Sequence, residues 1–190
     1  MAGIIPLRNS AIRFGSVAQG FHWLIVVLVI VQFLVGSYAH DLPVSLLRLK
    51  LLTLHKSIGV TAFALVLLRL AWRFYSPAPP LPAHMLTWQR CLAHVSHVLL
   101  YALLLVIPVV GWISSSASNL TVRWFFLFNL PDLVGPDPAL AKSAKALHMA
   151  LAWTLLAVAS LHAAAAFWHE LIVKDGVLRR MLPFGGEERP

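Results

Sequence analysis

Four stretches of the chain are nearly unbroken runs of apolar residues. They lie at 18–39 (AQGFHWLIVVLVIVQFLVGSYA), 51–73 (LLTLHKSIGVTAFALVLLRLAWR), 91–113 (CLAHVSHVLLYALLLVIPVVGWI) and 146–168 (ALHMALAWTLLAVASLHAAAAFW). A helix needs about 20 such residues to cross a bilayer, so each run predicts one membrane span. The proline-rich YSPAPPLPA at 75–83 breaks the second run from the third, and NLPDLVGPDPA at 129–139 breaks the third from the fourth. Pro108 falls inside the third run, where a kink is expected. Arg8 and Arg13 precede the first run in the manner of a signal peptide, but the run exceeds a typical signal-peptide core and three more follow, so it reads as a retained helix. The pattern predicts an all-α, four-helix integral membrane bundle forming a single domain over 1–190, with no internal repeat or low-complexity tract.

Composition strengthens that reading. The chain is 59% hydrophobic and 12% charged, with a mean hydropathy of +0.80; soluble domains carry about a quarter charged residues. Cys91 is the single cysteine, which excludes an intramolecular disulfide, an iron–sulfur cluster and a cysteine-rich zinc site. Threading the spans places nine basic residues on one side: Arg8, Arg13, Arg69, Arg73, Arg90, Lys174, Arg179, Arg180 and Arg189. It places six on the other: Arg48, Lys50, Lys56, Arg123, Lys142 and Lys145. The excess predicts that both termini are cytoplasmic. Trp23, Trp72, Trp88 and Trp168 then fall near the inner boundary, with Trp112 and Trp124 near the outer one, as in an aromatic belt. The net charge of +8 reads as topology and anionic-lipid contact; no motif supports nucleic-acid binding.

The histidines change the picture. His148, His162 and His169 lie in the fourth run and just beyond it, at spacings of fourteen and seven. At about 100° and about 1.5 Å per residue, all three project from nearly one stripe of a helix at three heights. Sorted by depth, His55 and His148 lie near the outer face, while His22, His94, His97 and His162 lie toward the inner one; His40 and His84 belong to loops or boundaries. Ionisable groups in a bilayer are rare and usually face a bundle interior or a cofactor. No carboxylate lies within the apolar cores, which disfavours zinc. Haem needs one or two axial ligands and an otherwise apolar slot between helices. Small residues in SIG (57–59) and AAAA (163–166) would let a flat macrocycle approach. The absence of C-x-x-C-H makes the haem non-covalent, hence b-type. Two bis-histidine haems, one at each depth, would conduct electrons across the membrane. Depth alone leaves His22, His94 and His97 as equivalent partners for the inner site.

Further motifs carry a resemblance along nearly the full length: HW at 22–23, His55 followed by RLAWR ending at Arg73, YSPAPP, LAHVSHVLLY at 92–101, IPVVG at 107–111, the pair His148 and His162, LHAAAA, and KDGVLRRMLP. Together they make the chain similar to the bacterial four-helix cytochrome b561 family, the group that includes quinone-linked superoxide oxidase. The resemblance implies that His22 and His162 hold an inner haem, and that His55 and His148 hold an outer one. His94 and His97 are then left near the inner haem as hydrogen-bond partners for propionates or quinone. Arg69 is placed to pair with a propionate, and Arg73 to anchor the inner boundary. Tyr101, Met149, Trp153 and Met181 read as core or interface filler. The resemblance also implies that His169, with Lys174 as a further donor, binds a quinone, ubiquinone in this reading. Lys56 and Lys145 flank outer histidines and would attract an anion such as superoxide. The implied activity is oxidation of superoxide at the outer face with reduction of quinone at the inner face. The other expectation is a non-enzymatic electron-transfer subunit that anchors or serves a dehydrogenase or a periplasmic redox partner; the small loops favour the enzyme.

Overall fold

The computed structural model describes residues 6–82 and 84–183; Arg189, counted among the inner charges, lies outside them. Four long helices form the protein: α1 (Ser16–Asp41), α2 (Leu46–Tyr75), α3 (Thr87–Ala117) and α4 (Pro138–Trp168). All four are long and apolar enough to cross a membrane. Helices α2, α3 and α4 begin well before their apolar runs, because capping rather than hydropathy sets where a helix starts. The Ser45 hydroxyl accepts from the Arg48 amide at the head of α2. The Asp137 carboxylate accepts from the amides of Ala139 and Leu140, with Pro138 in the first turn of α4. Helix α3 runs through Pro108 as one continuous element, although this proline has no N–H for the Leu104 carbonyl.

Helix α1 packs along α2, α2 along α3, and α3 along α4. Phe33 meets Trp153 edge to face, with centroids 4.9 Å apart, and so links α1 to α4; Trp153 is thus a packing contact. The buried apolar set is small and includes Ile25, Ile58, Val66, Leu103 and Ile107, while Leu24, Val27, Ile30 and Leu34 of α1 point outward. That inversion is what lipid as solvent allows, since aliphatic side chains gain little by leaving it.

The two ends of the bundle differ. At one end the N-terminal segment, the α2–α3 connection and the C-terminal segment interlock. The Arg13 guanidinium donates to the Leu182 carbonyl, Gln19 to the carbonyls of Phe14 and Arg180, and Trp23 Nε1 to Met181. Asn9 donates to the Ser76 and Pro77 carbonyls, and Arg180 to that of Pro80. Both terminal segments therefore meet at one end, the inner end of the sequence reading. At the opposite, outer end, residues 118–137 carry a two-stranded hairpin, β1 (Arg123–Trp124) paired with β2 (Phe128–Asn129). It turns through Phe125 and Phe126 at positive φ. Ser57 is fully buried beneath it, accepting from the Phe125 amide at 2.8 Å and lying 3.0 Å from the Arg123 carbonyl. Ser57, expected to make room for a macrocycle, therefore anchors the hairpin, because a buried hydroxyl must satisfy its hydrogen bonds.

Candidate cofactor-binding histidines and the inner-end loop

The outer tier is a pair of imidazoles on facing helices. His55 of α2 and His148 of α4 have ring centroids 6.1 Å apart, with planes at 79°. His55 Nδ1 lies 3.2 Å from the Gln32 carbonyl oxygen on α1, and His148 Nδ1 lies 2.9 Å from that of Ile107 on α3. A carbonyl only accepts, so each Nδ1 carries the hydrogen and each Nε2 keeps its lone pair. A hydrogen bond of this kind, from the nitrogen away from the metal, orients a ligating histidine. Two metal–imidazole bonds of about 2 Å, plus about 1 Å from each nitrogen to its ring centre, span roughly 6 Å. The pair thus fits axial ligation of one iron. Among the described residues no three His, Cys, Asp or Glu side chains gather as a metal cluster.

The inner tier is less symmetric. His97 of α3 meets His162 of α4, with centroids 5.1 Å apart and planes at 69°. His22 of α1 lies with Nδ1 3.0 Å from Arg69 Nη1. The guanidinium can only donate, so His22 accepts through Nδ1. The Arg69 guanidinium also sits 5.8 Å from the Tyr101 ring centroid, which gives Tyr101 a specific partner beyond packing. Arg69, Trp72, Arg73 and Tyr101 line a small cleft at this end of the bundle. Trp72 Nε1 is buried there without a hydrogen-bond acceptor. His94 is not drawn into the tier. It is exposed, and its Nδ1 lies 2.7 Å from the Arg90 carbonyl of its own helix. The one-turn spacing from Arg90 explains this, since a side chain leans back over the preceding turn.

Beyond α4 the chain makes a π-turn over His169–Val173, closed by the Lys174 amide on the His169 carbonyl at 2.7 Å. Lys174 (φ 59°) and Gly176 (φ 70°) both adopt the left-handed region. The reversal brings Asp175 back onto His169, whose Nδ1 donates to Asp175 Oδ2 at 2.6 Å. His84 Nε2, from the α2–α3 connection, reaches the same oxygen at 3.4 Å. The Asp175 side chain is only 2% exposed. Burial pushes its carboxyl up, but the hydrogen bonds from His169 and the Val177 amide outweigh that, and it titrates below the ordinary carboxylate value. Lys174, expected as a companion donor, is itself exposed; the turn it makes presents Asp175 instead. Asp175 is the functional candidate that sequence reading missed. The signal was available in KDG, where Lys-Asp-Gly marks a turn after a helix end.

At the outer end, Lys56 Nζ lies 3.4 Å from the Leu120 carbonyl, and Lys145 is exposed one helical turn before His148. Lys56 thus tethers the outer connection as well as carrying charge. His40 is exposed at the end of α1.

The family model for prokaryotic cytochrome b561 matches residues 13–184. Among curated proteins, cytochrome b561 homolog 2 of Escherichia coli (strain K12) is 34% identical over 189 residues, covering 94% of this chain and 95% of that protein. Probable superoxide oxidase CybB of Yersinia pestis is 29% identical, covering 90% and 96%. Cytochrome b561 homolog 1 of E. coli is 29% identical, covering 90% and 97%. Four apolar helices and an extended match together carry the conclusion: the chain belongs to the prokaryotic cytochrome b561 family, bacterial multi-pass membrane proteins that transfer electrons and bind b-type haem.

Proposed function

We propose that the protein holds two b-type haems, one between His55 and His148 and one between His22 and His162. It passes electrons from superoxide at the outer face of the bacterial inner membrane to ubiquinone at the inner, cytoplasmic face. The observation that carries this reading is the outer pair: two imidazoles on opposed helices, each hydrogen-bonded through Nδ1 to a backbone carbonyl and 6.1 Å apart. A haem held by His55 and His148 would supply one-electron transfer there. The protein's own groups do the rest. Arg69 stands beside the inner tier as a cation for a propionate. The basic outer residues Lys145, Lys142, Lys50 and Lys56 attract an anion, and loss of one electron from each of two superoxide ions yields two molecules of oxygen. The two electrons and two protons convert one quinone to quinol. His169, whose Nδ1–H is taken by Asp175, would serve that half of the reaction through Nε2, the imidazolium donating a hydrogen bond and then a proton. The name of the Yersinia relative agrees with the superoxide half.

Two contacts favour a specific rival for the inner ligand set, His97 in place of His22: His97 meets His162, and His22, accepting from Arg69 through Nδ1, carries its hydrogen on Nε2 and would have to give up that bond to ligate iron there. The test is the purified protein exposed to a superoxide source under optical recording, with and without a short-chain ubiquinone. Rapid haem reduction, followed by reoxidation when quinone is added, is the expected result. Haems that superoxide leaves oxidised while a quinol reduces them would sink the superoxide half. They would leave an electron-transfer subunit serving a protein partner.

A further inference from the structure

Two glycines stand in the same relation to the two outer histidines. On α1 the Gln32 carbonyl receives His55 Nδ1, and Gly36 is four residues on. On α3 the Ile107 carbonyl receives His148 Nδ1, and Gly111 is again four residues on. The spacing has a physical meaning. In an α-helix the carbonyl of residue i bonds the amide of i+4. The side chain of residue i+4 leans toward the N-terminus, over that carbonyl. A glycine at i+4 leaves the second lone pair of the oxygen open to a neighbour.

The contacts show that both gaps are filled by imidazole. A Cβ at position 36 would lie 2.9 Å from His55 Cε1 and 3.0 Å from its Nδ1. A Cβ at position 111 would lie 2.9 Å from both Cε1 and Nδ1 of His148. Neither ring is free to retreat without giving up its carbonyl. The other helix glycines do not share this. Gly20 has nothing within 4 Å, and a Cβ at Gly59 would meet only the Nε2 end of the Gln32 side chain.

We propose that Gly36 and Gly111 are positioning residues for the outer pair: each uncovers a backbone carbonyl that fixes its histidine in the Nδ1–H tautomer and sets the two ring planes nearly perpendicular. The inference rests on the reading of His55 and His148 as haem ligands. The carbonyl bonds leave both Nε2 atoms unprotonated and strengthen them as donors to iron. The crossed planes, 79° apart, determine which iron orbitals the ligands engage. They would therefore govern the spectrum and the potential of a haem held there.

The test uses the holoprotein in detergent, with haem content, low-temperature electron paramagnetic resonance and a redox titration as readouts. Near-perpendicular imidazoles give a wide, strongly anisotropic low-spin ferric signal. Gly36→Ala and Gly111→Ala should each displace that signal and shift one midpoint potential, or lose one haem of two, while the other haem is unchanged. Gly20→Ala should match the parent in every readout. Two haems with parental signals and potentials in both variants would overturn the inference. If Gly111→Ala fails to accumulate, Gly111→Ala/His148→Ala decides the matter, because it lacks the ring that the new methyl strikes. Recovery of a folded protein with the inner haem supports the inference. Continued failure, where His148→Ala alone accumulates, makes Gly111 a helix-packing residue and overturns it. His148→Ala also separates the two readings. If it retains two haems, the ligand assignment itself falls; if it loses one while the glycine variants behave as parent, only the positioning role falls.

Discussion

Replacing Asp175 by Asn tests the inner end of the proposed electron path with little change of shape. The native contact is a 2.6 Å hydrogen bond from His169 Nδ1 to a carboxylate that is 2% exposed, on a histidine side chain that is 12% exposed. A hydrogen bond to a charged group is worth about 1.5–3 kcal/mol, against about 1 kcal/mol for a neutral one. An Asn offers one oxygen where Asp175 offers two: with that oxygen on His169, the contact weakens by about 0.5–2 kcal/mol, roughly 2- to 30-fold in the population that holds His169 in place, and the Val177 amide loses its acceptor as well. Asp175→Ala removes the whole bond and should cost roughly 10- to 150-fold. The assay is ubiquinone-1 reduction by the chemically reduced protein, with haem content and haem reduction recorded beside it. The expected order is parent, then Asn, then Ala, in quinone turnover only, with both haems retained. Asp175 titrates below its ordinary value of about 3.9, so its contribution is complete above that value and fails as pH falls through the lowered one. Between pH 5 and 8 this carboxylate should therefore add no pH dependence of its own. An Asn and an Ala variant that both reduce quinone at the parental rate would refute a role for the His169–Asp175 contact.

Three further outcomes follow from the geometry. His55→Ala and His148→Ala should each remove the outer haem, and His22→Ala and His162→Ala the inner one, as counted by pyridine haemochrome; a haem lost from His97→Ala but kept in His22→Ala would transfer the inner ligand to His97. Haem reduction by superoxide should slow as salt rises, since exposed charges are screened over about 10 Å at 0.1 M, and Lys145→Gln should slow it at low salt with dithionite reduction unaffected. Ser57→Ala strips the buried hydroxyl that meets the Phe125 amide and the Arg123 carbonyl, and should lower stability by about 1–3 kcal/mol, read as a drop in the thermal midpoint of the detergent-solubilised protein.

What the sequence disclosed and what it withheld divide along a physical line. Hydropathy over 18–39, 51–73, 91–113 and 146–168 located all four helices because lipid imposes a minimum apolar length. It did not locate their ends, since Ser45 and Asp137 act through one or two local hydrogen bonds that no window averages. The fourteen-residue spacing of His148 and His162 was visible because one helix fixes it. The neighbours of those histidines on other helices were not visible. Gln32 and Ile107 act through their backbone carbonyls, which every residue possesses, so nothing in the side-chain pattern marks them. Gly36 and Gly111 act through what they lack. IPVVG entered the sequence reading only as a point of resemblance, although it contains a whole seat for His148: a carbonyl at its first position and a missing methyl at its last. A glycine four residues after an otherwise ordinary apolar residue, on a helix facing a buried histidine, is thus a pattern with a mechanism. It occurs twice at the outer tier. At the inner tier His22 instead accepts from Arg69 and His162 meets His97. That contrast predicts a physical asymmetry between the haems. The outer one, seated on neutral backbone dipoles, should respond to Gly36→Ala or Gly111→Ala and be indifferent to Arg69→Gln. The inner one, beside a guanidinium that favours the electron-rich reduced state, should lose potential in Arg69→Gln and ignore the glycines. A redox titration that finds both haems shifting together in any of these variants would refute two independently tuned sites.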